Sequence, residues 1–196
     1  MAIFDQAFAD FSTVDVVINA AGVMNVDGMI EQIEPAQWWN DHEVNVKGTY
    51  NLAHHFTTAT NGTGTFINLV SLGASFLAPD LSSYSTAKPA AIKLGEDLDL
   101  DNQLSLCQMP NLRTFSIHPG IDEAAAGRGA VIDHIAPFAK GKQPLPAVFT
   151  MYLQKQEVDF LRGGFVSENW DIEEGKPVKL GFVGAKFRPE GHPWKY

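Results

Sequence analysis

The sequence predicts an α/β fold, a parallel sheet with helices on both faces. Three observations carry that prediction. Short β-branched and apolar runs recur at residues 14–18, 65–70 and 112–117. Segments with helical periodicity separate them. Each run then stops at polar or turn-forming residues: Asn19, Ser71 and Pro119-Gly120. Strands alternating with helices build parallel sheets, and right-handed crossovers narrow the topology further. In such sheets ligands lie beyond the C-terminal ends of the strands. Asn19, Ser71 and His118-Pro119-Gly120 therefore converge on one edge.

The elements follow in order. Ile3, Phe4, Ala7, Phe8 and Phe11 have helical spacing and predict a helix over 2–11. Residues 14–18, broken only by Asp15, read as a buried parallel strand. Residues 22–34 form a loop. Pro35 suits the first turn of a helix reaching about residue 60. Asn61-Gly-Thr-Gly64 is a turn, and 65–70 is a second buried strand. A loop leads to Pro79-Asp80. Asp80 or Ser82 caps a long helix to about residue 106. The third strand is 112–117, residues 123–142 are irregular or weakly helical, 145–156 is helical, and 161–167 is a fourth strand. The tail from Trp170 is loop-like. No internal repeat or linker divides the chain, so residues 1–196 read as a single domain.

Composition excludes several classes of function. The chain has 196 residues, 45% hydrophobic and 19% charged, as ordinary globular domains do. A net charge of −9 leaves no basic excess for nucleic acid or anionic lipid. Cys107, the one cysteine, has no partner for an internal disulfide, which suits a reducing compartment. The first residues carry acids and no Lys or Arg, unlike a secretory signal. No apolar run reaches membrane-spanning length. The expectation is a cytoplasmic domain that meets a small-molecule substrate, not a membrane.

Tyr84-Ser-Thr-Ala-Lys88 is the stretch richest in chemistry. On a helix it sets a phenol and an ammonium four residues apart on one face. An unperturbed tyrosine titrates near 10 and is a poor base at neutral pH. A neighbouring cation favours the phenolate. Of the other tyrosines, Tyr50 has His54 at that spacing and Tyr152 has Gln156. His42, His54, His55, His118, His134 and His192 show no metal-ligand pattern with Cys107, so no metal site is expected. Ser71 lies in Val-Ser-Leu-Gly, not in a hydrolase elbow. Trp38-Trp39 reads as core plus interface, and Asp171, Glu173 and Glu174 as a solvated acidic turn.

Asn19-Ala-Ala-Gly22, Asn45 in Val44-Asn-Val-Lys-Gly48, Ser71, Tyr84-x-x-x-Lys88 and Pro119-Gly120 each mean little singly. In this order, at these strand ends and in these helices, the set resembles the short-chain dehydrogenase/reductase family over nearly the whole chain. Residues 160–171 and Gly191-His-Pro-Trp194 resemble its fungal members. The resemblance implies a Rossmann-like fold and an NADP or NAD cofactor. It implies that Tyr84 exchanges a proton with the substrate oxygen, and that Lys88 lowers the Tyr84 pKa and bonds the nicotinamide ribose. Ser71 is expected to hold the substrate oxygen, and Asn45 to position a water that relays protons through Lys88. Asn19, Ala21 and Gly22 are expected against the cofactor, with Pro119, Gly120 and Ile121 near its nicotinamide. Hydride transfer needs an acid–base group at the oxygen and a donor to its developing charge. The cofactor carries the hydride. The helices of Trp38-Trp39 and Tyr84 resemble the family's interface helices, so a homo-oligomer is expected.

Three departures qualify the resemblance. No Gly-x-x-x-Gly-x-Gly occurs, although such a turn would hold the cofactor pyrophosphate. The expected reading is a partial domain lacking the family's first three strands and that turn. NADP or NAD would then bind weakly, and residues 14–18 would become an exposed apolar edge that promotes self-association. The choice between the two nicotinamides is then unreadable. Pro89, directly after Lys88, is expected to push Lys88 away from helical geometry. After Pro119-Gly120, Ile121-Asp-Glu-Ala124 replaces the usual apolar residue and threonine. Pocket walls are expected at 72–81 and 121–143. Against an oxidoreductase stand a non-catalytic family member, or a gene-model fragment, acting as scaffold or partner subunit, and hydride-free acid–base chemistry at Tyr84.

Overall fold

The computed structural model describes residues 2–25, 28–75, 79–103, 111–121, 139, 141 and 144–167. Within them, β1 (Val16–Asn19), β2 (Thr63–Leu69), β3 (Asn111–His118) and β4 (Phe165–Ser167) form one sheet in the order β1-β2-β3-β4. Every neighbouring pair is parallel. Helix α1 (Ala2–Phe11) precedes β1. Helix α2 (Pro35–His42), a π-helical turn (Glu43–Lys47) and α3 (Gly48–Ala59) connect β1 to β2. Helix α4 (Ser82–Gln103) lies between β2 and β3. Helix α5 (Pro144–Tyr152) and a 3₁₀ turn (Gln156–Leu161) precede β4.

Period-two alternation in the strands sends successive side chains to opposite faces. Phe66 and Leu112 pack with Phe4, Ala53 and Phe56 of α1 and α3. Ile67, Phe115 and Ile117 pack instead with Phe149, Leu153, Val158 and Leu161. Each fully buried phenylalanine or isoleucine contributes about 1.5–3 kcal/mol. Val70, Ala91, Ile92 and Phe165 form a smaller cluster where α4 meets the strand ends.

The helical run begun at Pro35 reaches Ala59, as its spacing predicts, but takes one wide turn at residues 43–47. Such π turns cluster at functional sites, and this one carries Asn45. The strand predicted at 14–18 starts instead at Val16. It is not buried on both faces, since it pairs only with β2 and leaves Val16 and Ile18 37% and 49% exposed. Among the described strands β1 is an edge of the sheet. The fourth strand is shorter than predicted. Residues 156–161 wind into a 3₁₀ turn and Gly163 adopts a φ of 63°, a conformation that ends it.

Pro89 does not displace Lys88. Helix α4 runs unbroken from Ser82 to Gln103 with Pro89 inside it, and Lys88 stays buried. Proline removes one backbone donor, and the other turns of a helix of 22 residues hold the geometry. Most of residues 123–142, the helix end at 104–106 and the tail from Trp170 lie outside the described residues. No described helix is long and apolar enough to cross a membrane.

Candidate active site

A buried polar row crosses the sheet at the predicted edge. The strand register sets Asn19 beside Asn68, and Asn68 beside Ser116. Asn19 Nδ2 donates to Asn68 Oδ1 at 2.9 Å and to Thr49 Oγ1 at 2.9 Å. Its Oδ1 accepts the Ala21 N–H at 3.3 Å. Both ends of this amide are thus engaged within the protein, fastening the loop that leaves β1. Ala21 and Gly22, the next residues, are exposed.

Asn45 is 1% exposed. Its Nδ2 donates to the Val23 carbonyl at 2.8 Å, and its Oδ1 accepts the Val23 N–H at 3.2 Å. The amide brackets the backbone of one residue, Val23, and holds the Gly22 loop against the helices. A Cβ at Gly22 would lie 2.8 Å from Asn45 Oδ1 and 3.3 Å from Lys88 Nζ. Only glycine lets the chain pass so close to both polar atoms.

Tyr84 and Lys88 share one face of α4, as their spacing predicts. Lys88 Nζ lies over the phenol ring, 5.3 Å from its centroid. Lys88 is 6% exposed. Among the described residues its one hydrogen bond is a long 3.5 Å contact to the Leu69 carbonyl. Burial lowers the Lys88 pKa to about 8, while the negative charge of Asp41 pushes it back up. The expected lowering of the Tyr84 pKa is not realised. Burial raises it, a hydrogen bond with Ser71 lowers it, and Asp41 raises it again. The ammonium lies over the ring, and desolvation of the phenol sets the direction.

Ser71 stands in extended conformation before a 3₁₀ turn, Leu72–Ala74, and its Oγ accepts the Gly73 N–H at 3.0 Å. A Cβ on Gly73 would lie 3.2 Å from Ser71 Oγ and 3.3 Å from Tyr84 Cε1, so serine, glycine and tyrosine meet at one point. His118 ties this loop to β3, because its Nδ1 accepts the Leu72 N–H at 3.3 Å. Burial lowers the His118 pKa to about 4, keeping it a neutral acceptor. Pro119, Gly120 and Ile121 follow directly, half-buried, with Gly120 at a φ of 73°. The Ile121 carbonyl accepts the Gly141 N–H at 2.9 Å.

The structure therefore brings together Ser71, Tyr84, Lys88, Asn45 and Gly22. Asn19 supports them from behind, and Pro119, Gly120 and Ile121 border them through His118. Sequence reasoning missed Asp41, Thr49, Asn68 and Gly73. One signal was available: Asp41, Asn45 and Thr49 recur every four residues, and all three are buried at 0%, 1% and 3% exposure. A polar stripe on a buried helix face marks a site. Among the described residues no three His, Cys, Asp or Glu side chains gather to hold a metal ion.

A parallel sheet with this Ser–Tyr–Lys group at its strand ends is a Rossmann-like α/β domain. Solved structures share that fold. A 7α-hydroxysteroid dehydrogenase complexed with NADH and 7-oxoglycochenodeoxycholic acid superposes with a TM-score of 0.71 at 20% identity, covering 85% of this chain and 66% of that one. The angucycline C-6 ketoreductase LanV with bound NADP gives 0.70 at 16% identity, covering 84% and 67%. The family model described as enoyl-(acyl carrier protein) reductase matches residues 1–151. The chain belongs to the short-chain dehydrogenase/reductase family. Its curated relatives include short chain dehydrogenase pigC of Monascus ruber, 28% identical over 170 residues, which are 85% of this chain and 54% of that protein. Another, AacuD of Aspergillus aculeatus, is 30% identical over 169 residues, 85% and 56% of the two chains. The chain thus spans about half the length of the curated relatives it matches.

Proposed function

We propose that this protein is an NAD(P)-dependent oxidoreductase interconverting a carbonyl and a secondary alcohol on a small organic molecule, in fungal secondary metabolism. The observation that carries this reading is the meeting of Ser71, Gly73 and Tyr84 at one point, with Lys88 Nζ over the tyrosine ring. The fungal source of the relatives supports the setting. A cytoplasmic location belongs to the same reading.

The residues present fit the nicotinamide end of such a cofactor. Gly22 leaves open the space a Cβ would fill, flanked by Asn45 Oδ1 and Lys88 Nζ. Lys88 has donors to spare for a ribose hydroxyl. A nicotinamide, when bound, supplies or removes hydride at the reacting carbon. In the reducing direction Tyr84 Oη gives its proton to the substrate oxygen, and Ser71 Oγ hydrogen-bonds that oxygen as negative charge develops. A water between Asn45 and Lys88 returns a proton toward Tyr84. With its pKa raised by burial, Tyr84 is held as the phenol, the form that reduction requires. Nothing in the sequence matches Gly-x-x-x-Gly-x-Gly, so pyrophosphate contacts are thin and cofactor affinity is low. The lack of that motif in the chain as given favours a second reading for it, a family member that keeps the residues without turnover.

The test uses NADPH deuterated at the hydride position and a panel of ketones. Deuterium on the carbinol carbon of the product is expected. Product without deuterium points to hydride-free chemistry, and no product from any ketone at saturating NADPH points to the non-catalytic reading.

A further inference from the structure

We propose that Asp41 is a positioning residue for the Tyr84–Lys88 pair, a buried carboxylate that locks three segments together behind the pair and supplies its balancing charge. This rests on the oxidoreductase reading above. Asp41 is 0% exposed, although it lies in α2, most of whose residues are exposed. Its Oδ2 accepts the Ser83 hydroxyl at 2.8 Å and the Asn25 N–H at 3.5 Å, and its Oδ1 accepts Asn25 Nδ2 at 2.5 Å. Ser83 directly precedes Tyr84, and Asn25 lies two residues beyond Val23, which Asn45 brackets. One carboxylate thus joins the loop after β1, α2 and the first turn of α4.

Charge balance gives a second argument. Lone buried charges are costly and are kept where something compensates them. Asp41 and Asp99 are the buried carboxylates among the described residues, and Lys88 is the buried lysine. Asp99 has Arg162 Nε 3.4 Å away. Asp41 and Lys88 make no ion pair within 4.0 Å, so they act through space across the start of α4. The titratable groups whose balance Asp41 alters are His42 beside it and Tyr84 and Lys88 on α4. Its charge raises all three pKa values, against the burial that lowers His42 and Lys88 and alongside the burial that raises Tyr84. Asp41 thus favours the Lys88 ammonium against the burial that opposes it, and adds to the burial that holds Tyr84 as the phenol. Purely local hydrogen bonding at Asp41 would leave Lys88 unaffected.

Lys88 can be followed in the full chain carrying ¹³Cε-lysine, with its signal assigned from Lys88→Met. In Asp41→Asn the Lys88 midpoint is expected to fall below its wild-type value of about 8, while that of Lys93, whose charge partners are Asp97 and Glu96, stays in place. An unmoved Lys88 midpoint in folded Asp41→Asn overturns the proposal. If that variant does not fold, wild-type protein with ¹³Cγ-aspartate carries the test, because the coupling is reciprocal. The Asp41 signal must step at the Lys88 midpoint and lose that step in Lys88→Met; a flat signal overturns the proposal. Where ketone reduction is measurable, Asp41→Asn is expected to lower kcat with little change in KM and to shift the alkaline limb to lower pH, and Asp41→Glu to restore that limb. The titrations need no turnover, so failure of the oxidoreductase reading shows as absent reduction with the coupling intact.

Discussion

Lys88 is held in the fold against its own solvation. Its pKa falls from 10.5 to about 8 because burial disfavours the ammonium. The folded value lies below the unfolded one, so between about pH 8 and 10.5 the unfolded chain binds the extra proton. Stability is therefore expected to rise across that window, by about 3 kcal/mol at most from the size of the shift, and to be lost again as pH falls through about 8. Urea melts of wild type and Lys88→Met at both ends of the window check this. A Lys88→Met curve with the same rise would show that another group carries it. Tyr84 and Lys88 were legible from their spacing once Asn19, Asn45, Ser71 and Pro119-Gly120 stood in order around them. The direction of the Tyr84 shift was not, because it depends on how deeply the phenol is buried and on Asp41, a residue 43 positions away in the chain.

At the scale of elements, β-branched and apolar runs ended by turn residues located the four described strands, since side chains that pack between sheet and helices are mostly apolar. The boundaries moved where backbone conformation overrides composition. β2 begins at Thr63 and runs through Gly64, whose φ of 120° and position suit glycine, since a Cβ there would lie 2.8 Å from the Asp15 carbonyl oxygen and from the Phe56 ring. Pro89 inside α4 and the π turn at 43–47 follow local rules that tertiary packing outweighs. Helix α4 is fixed by its buried face, Ala87, Lys88, Ala91, Ile92 and Gly95, against which one lost hydrogen bond counts for little. The π turn has no sequence signal of its own; only the recurrence of Asp41, Asn45 and Thr49 betrays the face it serves. The buried row Asn19, Asn68 and Ser116 was half legible, because Asn19 stood out at a strand end while Asn68 looked like one polar residue within an apolar strand.

At the scale of the whole molecule, the polar site is closely built and its surroundings on the β1 side are open. Val16 and Ile18 lie on the sheet edge, with Ile3 and Phe11 of α1 also exposed. Unpaired apolar edges recruit other chains, and we propose that the isolated chain self-associates through this one. Sedimentation should show oligomers that Ile18→Lys shifts toward monomer; a wild-type monomer at all concentrations would refute the proposal. The absence of a glycine-rich pyrophosphate turn leads to a further expectation, that NADPH titrated into the purified chain binds only weakly. Micromolar affinity would mean that residues other than those named here hold the cofactor.

Tyr84 is the proposed proton donor. The direct test is the rate of NADPH-dependent ketone reduction, at saturating NADPH, for wild type and Tyr84→Phe. The loss of a general acid predicts a fall of at least about 100-fold with the fold intact. Reduction at an unchanged rate in folded Tyr84→Phe would rule Tyr84 out as the proton donor.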